Sequence, residues 1–540
     1  MYKKGEGTMR RRPGKRALSV LGAAAVLTIG TVVSAYPAMD VSANGSDETL
    51  KALANEVADE SIVLLENNNS TLPLAAGTSI SFFTKDNYIM SGGGSGTTSA
   101  KDEDKITIEE GLKERFQVAH TITDYNSLTE ENVAQYAADT EAAVVQIVRS
   151  SGESQDRTVR EGDWYLNSAE KNMLSLVSST FDKVIVVLNT VGAIDMAWVD
   201  EYQIDAVIYA GTPGQEGGAA VADVISGVVN PSGKLTDTWA TIESYSSTEN
   251  IAAFILDTET YTSGSDDTEK HFPYWGSVPN PSTGYDEGTY TRPIDEYMYS
   301  KYEEGIYVGY RYYTTFDSIV AGLADEVYYP FGYGLSYTDF DIKVDSLDYD
   351  TTIQDTANND GQISVEVTVT NTGDTAGKEV VQVYFNAPDI DLDTGEVIET
   401  AAMELAAYAK TDLLEPRESQ TLLISYDICD MASYYEDNAQ YVMGDGSYTI
   451  YVGNSVTDAE ANPAGTYNVA TYGSSLYYNV VEQCTNLSGP DQESGTYDKY
   501  LADYERDLSE RIRDCCRDCR CMGNHDSLRP AQRRSLYKGF

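Results

Sequence analysis

Residues 142–157 read AAVVQIVRSSGESQDR, and the architecture turns on how that stretch divides. Its first part, Ala142 to Val148, lacks period-two alternation. Such a run suits a strand buried on both faces, as in a parallel sheet with helices on either side. Its second part, Ser150 to Arg157, is a loop of small and charged residues directly after that strand. Loops at the carboxyl ends of parallel strands are where α/β sheets place ligands. Val184 to Leu188 (VIVVL) and Ala206 to Tyr209 (AVIY) repeat the buried-strand pattern. Segments 168–180 and 215–226 have helix composition and fall between or after those runs, which makes this an α/β layered domain.

Upstream, the periodicity of Leu50, Leu53, Val57, Ile62, Leu64 and Leu65 predicts a helix from Thr49 to Asn67. Residues 245–300, rich in Tyr, Ser, Thr, Gly and Pro, read as an irregular excursion whose aromatics either stack on sugar rings or fill loop packing. After Phe340 the period changes. Ile363, Val365, Val367 and Val369 alternate with polar residues, and Asn371-Thr372-Gly373 supplies a turn. Val381, Val383 and Phe385 alternate again, followed by Leu422 to Ser425 and by Tyr448 to Val452 after the turn Gly444-Asp445-Gly446. Short alternating strands at this density predict an antiparallel sandwich.

The 540 residues carry 37 Lys+Arg against 86 Asp+Glu, a formal charge of −49. A field of that sign repels phosphate backbones and argues against nucleic-acid binding. The two ends depart from it. Seven of the first 16 residues are Lys or Arg, and an uncharged stretch from Ala17 to Met39 follows. Small residues then offer cleavage after Ala35 or Ala43, so residues 1–45 read as an export signal, with a retained membrane anchor as the alternative. The expected location is secreted or extracellular. Residues 509–540 are basic and hold four of the six cysteines. The CC-x-x-C-x-C pattern with His525 is a poor tetrahedral metal site, because adjacent cysteines cannot both ligate well.

Within the loop, Glu153 sits among small residues with Asp156 and Arg157 close behind. Partial burial or a neighbouring acid would hold its carboxyl protonated, as a general acid near neutral pH requires. Taken alone this is a weak signal, since a glutamate after a strand is ordinarily a solvated loop residue. Gly211 to Thr238 reads as a compact turn–helix–turn brace, in which Gln215 and Glu216 at the helix start could also bind a ligand. Ser91 to Gly96 (SGGGSG) lacks the lysine of a phosphate loop and reads as a mobile loop bordering a site.

Five strings occur in the order seen in glycoside hydrolase family 3: SIVLLENNNSTLPL (61–74), SSGESQDR (150–157), PGQEGGAAVADVISGVVNPSGKL (213–235), EGIYVGYRYY (304–313) and YPFGYGLSYTDF (329–340). They resemble the family's six-stranded α/β sandwich domain. The strings around 363–385 and 402–452 resemble its fibronectin-III-like domain. The resemblance implies an α/β sandwich over 46–340, a β-sandwich over 341–480 and a linker with tail over 481–540. It also implies a retaining β-glucosidase- or β-xylosidase-like hydrolase without metal or cofactor, acting on a β-linked oligosaccharide or glycoside. Matched to the family motif, Glu153 becomes the general acid/base, and Asp156 and Arg157 support it or the sugar.

The family's nucleophile is an aspartate of a (β/α)8 barrel, in a Ser-Asp-Trp-type motif that these 540 residues do not contain. Some bacterial members carry the barrel after the fibronectin-like domain. The expectation is therefore a chain with the acid/base but not the nucleophile domain, its basic tail the product of a shifted reading frame or an incomplete gene model. The competing expectation is a non-catalytic carbohydrate-binding or cell-surface structural protein made of the same two domains.

Overall fold

Six strands form the first sheet: β1 (Val63–Asn67), β2 (Ser79–Phe83), β3 (Gln117–Ile122), β4 (Ala142–Arg149), β5 (Val184–Thr190) and β6 (Ala206–Tyr209). Their spatial order is β1-β6-β5-β4-β2-β3, with β2 to β6 parallel and β1 antiparallel on the edge beside β6. The computed structural model describes residues 47–85, 105–150, 159–242, 244, 306–349, 361–392, 395, 397–435, 440–469 and 478–483. The expected export signal, SGGGSG, Glu153, Asp156, Arg157, the 245–300 segment and the cysteine-rich tail lie outside the described residues.

Side chains alternate across the sheet and build a core on each face. Ile80, Phe82, Val144, Val187 and Ile208 pack with Ile108 and Leu112 of α2 (Ile108–Arg115) and Val221 and Val224 of α6 (Gly217–Ser226). Phe83, Val145, Val186 and Val207 pack on the other face. Their partners are Val133 of α3 (Glu130–Asp139), Met173, Leu174 and Val177 of α4 (Ser168–Ser178) and Trp198 of α5 (Ala197–Glu201). Burial on both faces is why these strands read as continuous apolar runs. Capping boxes at Thr107/Glu110, Thr129/Asn132 and Asn167/Glu170 fix where α2, α3 and α4 begin.

One reading is corrected. The predicted helix over Thr49 to Asn67 ends at Ser61 as α1 (Asp47–Ser61), and Val63–Asn67 is strand β1. Ile62, Leu64 and Leu65 happen to continue the helical spacing, but pairing with β6 and burial on both faces override it. Helices α4 and α6, the strands β4 to β6 and the alternating strands after Phe340 stand where the patterns placed them.

The all-β layers comprise a three-stranded sheet (Ser419–Asp427, Gln362–Asn371, Phe340–Tyr349) and a four-stranded one (Glu404–Lys410, Val380–Asn386, Gly446–Gly453, Pro463–Val469). Val365, Val367 and Val369 of one meet Val383, Ile450 and Val452 of the other in a shared core. The Asn-Pro-Ser-Gly-Lys turn after α6 fastens this sandwich to the first domain. Asn230 Nδ2 donates to Ala376 O at 3.0 Å, and the Lys234 ammonium lies 2.9 Å from the buried Glu379 carboxylate. Glu60 at the end of α1 pairs with both Lys378 and Lys410. Burial alone would raise its carboxyl, but the hydrogen bonds from the two lysines outweigh that and hold it below its ordinary value.

Where α2 and α6 cross, glycine is obligatory on both sides. A Cβ on Gly111 would stand 1.9 Å from Gly218 O, and one on Gly218 would stand 2.1 Å from Thr107 O. Both obstacles are backbone, so the helices would have to separate. Gly218→Ala is expected to destabilise the chain by about 2–3 kcal/mol, read from the urea midpoint at unchanged slope.

Beside this crossing, Asp59 accepts a hydrogen bond from Asn55 Nδ2 at 2.8 Å, while its Oδ1 is buried without a hydrogen-bond partner among the described residues. Burial first, then Asp223, Glu60 and Glu56, push its carboxyl up to about 7, against an opposing pull from Arg115. A carboxyl raised in the folded chain contributes stability below its ordinary value, and that contribution is lost as pH rises through the raised one. Asp59→Asn is therefore expected to gain more stability at pH 8 than at pH 5. With the group half-exposed, the difference should be about 1 kcal/mol in paired urea titrations.

Candidate functional site

The sheet reverses its winding between β2 and β4. From β2 the chain passes through α2 to β3 on one side. From β4 it passes through α4 and α5 to β5 and β6 on the other side, over the opposite face. Outside the carboxyl ends of two such strands the connections diverge and leave a crevice, the usual ligand position in a doubly wound sheet. Residues 86–104 follow the end of β2 and residues 151–158 follow the end of β4, so both stretches depart from this edge. Glu153, Asp156 and Arg157 belong to the second stretch, outside the described residues.

Across this end of the sheet runs a transverse line of buried polar groups. Thr84 Oγ1 donates to Gln146 Oε1 at 2.8 Å, Gln146 Nε2 to Asn189 Oδ1 at 3.3 Å, and Asn189 Nδ2 to Gly211 O at 2.7 Å. These groups link the carboxyl ends of β2, β4, β5 and β6, and all three side chains are buried. Sequence reasoning passed over them, although the signal existed: Gln146 is the one polar residue inside AAVVQIV, and Asn189 directly follows VIVVL.

The end of β4 is held by a buried ion pair. Arg149 and Glu170 are 4% and 5% exposed. The guanidinium donates to the two carboxylate oxygens of Glu170 at 2.8 Å each, and through Nε to Asp163 O at 2.6 Å. Glu170 Oε2 also accepts from Asn167 N at 2.9 Å, so the capping box of α4 and the ion pair share one carboxylate.

Gln215 and Glu216 serve the brace reading. Gln215 O accepts from Ile106 N at 2.8 Å, Gln215 Nε2 donates to Glu216 Oε1 at 3.3 Å, and Glu216 is buried at the start of α6. Among the described residues no group of three or more His, Cys, Asp or Glu could hold a metal ion, and no helix is long and apolar enough to cross a membrane. Asn189→Ala would remove the donor to Gly211 O and the acceptor for Gln146 in a dry environment. It is expected to lower stability by about 2 kcal/mol in urea unfolding, whereas a surface Asn→Ala change should stay within about 0.5 kcal/mol.

Comparison with known proteins agrees with this fold. A profile of the Glycosyl hydrolase family 3 C-terminal domain matches residues 62–337, and one of a Fibronectin type III-like domain matches residues 379–456. Beta-glucosidase A of Butyrivibrio fibrisolvens is 33% identical over 464 residues, covering 75% of this chain and 50% of that protein. A beta-glucosidase of Ruminococcus albus is 32% identical over 439 residues, covering 75% and 40%. Among solved structures, a beta-glucosidase from Paenibacillus barengoltzii superposes with a TM-score of 0.61 at 32% identity over 81% of this chain and 45% of its own. Beta-glucosidase 3B from Thermotoga neapolitana in complex with glucose gives 0.59 at 30% identity, over 78% and 54%. The chain spans about half the length of the curated relatives it matches.

Proposed function

Starting from a chain that belongs to glycosyl hydrolase family 3, we propose that it contributes the proton-donating half of an exported, retaining β-glycosidase. The observation that carries this reading is the place of β4: it ends at the winding reversal of the sheet, the usual ligand edge of such a fold, and Ser150 to Arg157 follow it in sequence. The chain's similarity to proteins named as beta-glucosidases supports a β-linked glucoside as substrate.

Glu153 protonates the leaving oxygen while a second carboxylate attacks the anomeric carbon. Glu153 then deprotonates the water that hydrolyses the glycosyl-enzyme, with the two carboxyl groups about 5–5.5 Å apart. Asp156 and Arg157 orient Glu153 or the sugar. The attacking carboxylate belongs to a barrel module that these 540 residues do not supply, so the centre is shared between modules. Residues 1–45 direct export.

The 540-residue chain alone is expected to show negligible turnover of an aryl β-glucoside; robust activity would overturn the placement of the nucleophile elsewhere. In the complex with a barrel module, Glu153→Ala is expected to slow a disaccharide by about 10³-fold. A dinitrophenyl glucoside, which needs little protonation, should slow by less than about 10-fold. Equal losses on both substrates would remove Glu153 from the acid role. Binding of glucosides without turnover in that complex would instead mark the chain as a carbohydrate-binding module.

A further inference from the structure

The last turn of α1 lies where the two domains meet, and three successive residues there have three different neighbourhoods. Ala58 is buried in the core that α2 and α6 build on the sheet. Glu60 serves the sandwich, pairing with Lys378 and with Lys410 at the end of the strand Glu404–Lys410. Lys410 Nζ also reaches Glu60 O at 3.5 Å, and Ser232 Oγ donates to the Glu60 carboxylate at 3.4 Å. Asp59, between the two, has no cation to itself. Arg115 is the cation that acts on it, yet Nε and Nη2 of Arg115 both lie 2.6 Å from Asp223 Oδ1. The acids acting on it are Asp223, Glu60 and Glu56, and its hydrogen bond comes from Asn55, one turn earlier in the same helix. An ionised carboxylate in that place is disfavoured by burial and by like charge.

The rest of the segment adds little. From Lys51 to Ser61 only Ala58 is fully buried, and Val57 is 60% exposed. A segment with so little apolar contact opens well before the chain unfolds. The domains would stay joined during such opening, through Lys234 with Glu379 and Gln382 with Gly332 O.

We propose that residues 51–61 of α1 form a strap between the two domains, fastened in mild acid and released locally as pH rises, with Asp59 the trigger and Glu60 the permanent fastener. The docked strap binds a proton that the released strap gives up. Its contribution is full below the ordinary aspartate value of 3.8 and is lost as pH rises through about 7. Burial opposes the Glu60 charge, but the hydrogen bonds from its two lysines outweigh that and keep it ionised through the same range. Lys410 is the rival source of alkaline loosening, because burial, Lys378 and Lys234 lower its ammonium against the pull of Glu60. The full shift of Asp59 would change docking about 10-fold between pH 6 and pH 8, and solvent at the half-exposed group reduces that to about 5-fold.

The test is amide hydrogen exchange on the full 540-residue chain at pH 6 and pH 8, corrected for the intrinsic pH dependence of exchange. Protection of residues 51–61 is expected to fall about 5-fold at the higher pH, with that of β4 and β5 unchanged. Asp59→Asn, which keeps the shape of the protonated side chain, is expected to abolish the fall. Glu60→Gln should lower protection of the same residues about 3-fold at both pH values. No fall in the parent, or a fall shared by β4 and β5, overturns the proposal. So does an equal fall in Asp59→Asn, which would assign the loosening to Lys410. Unchanged protection in Glu60→Gln would remove the fastener and overturn the strap as well. If Asp59→Asn does not fold, Asp59→Ser decides by the same criterion.

Discussion

The reversal of winding between β2 and β4 constrains everything around it. The crossover from β2 through α2 to β3 covers one face, and the crossovers after β4 must cover the other to bury both sides of the sheet. In a doubly wound sheet that reversal is the usual ligand edge. An apolar layer at these strand ends would leave Gly211 O without the donor that Asn189 Nδ2 supplies, and the Thr84–Gln146–Asn189 line satisfies its own buried polar groups one by the next.

The second domain is tied to the first by the same turn that ends α6. Gly233 lets the backbone pass Ile62 O, where a Cβ would stand only 2.5 Å away, and so brings Lys234 to the buried Glu379. Gln382 Nε2 donates to Gly332 O and Asn454 O, and Val456 N donates to Phe331 O, so the seam is also closed through backbone groups. Such groups are unforgiving, because a relative slip would strand several of them without partners at once. The Asn-Pro-Ser-Gly-Lys motif thus explains itself as a joint between layers and leaves the ligand edge to other residues.

Much of this was legible from residue pattern. Strands β4, β5 and β6 show as apolar runs because both their faces are covered, and Ile363 to Val369 alternate because only one face of their sheet meets the core. Strand β1 was misread because Ile62, Leu64 and Leu65 satisfy helical and strand spacing alike, and only pairing with β6 decides. Strand β3 escaped notice for the opposite reason: Gln117 to Ile122 is a polar edge strand with little apolar pattern. Gln146 and Asn189 were visible as polar letters in apolar runs, but their meeting depends on strand order, which no local pattern encodes.

Glu153 belongs to a different kind of legibility. In a chain with 86 acidic residues, no local rule separates one loop glutamate from another, and the motif resemblance singled it out. What the fold adds is the frame beside it: Arg149 closes β4 with its charge neutralised by Glu170 and a further donor directed at Asp163 O. A guanidinium suits that buried place because its planar fork serves the carboxylate and the backbone carbonyl together, which the point charge of an ammonium could not.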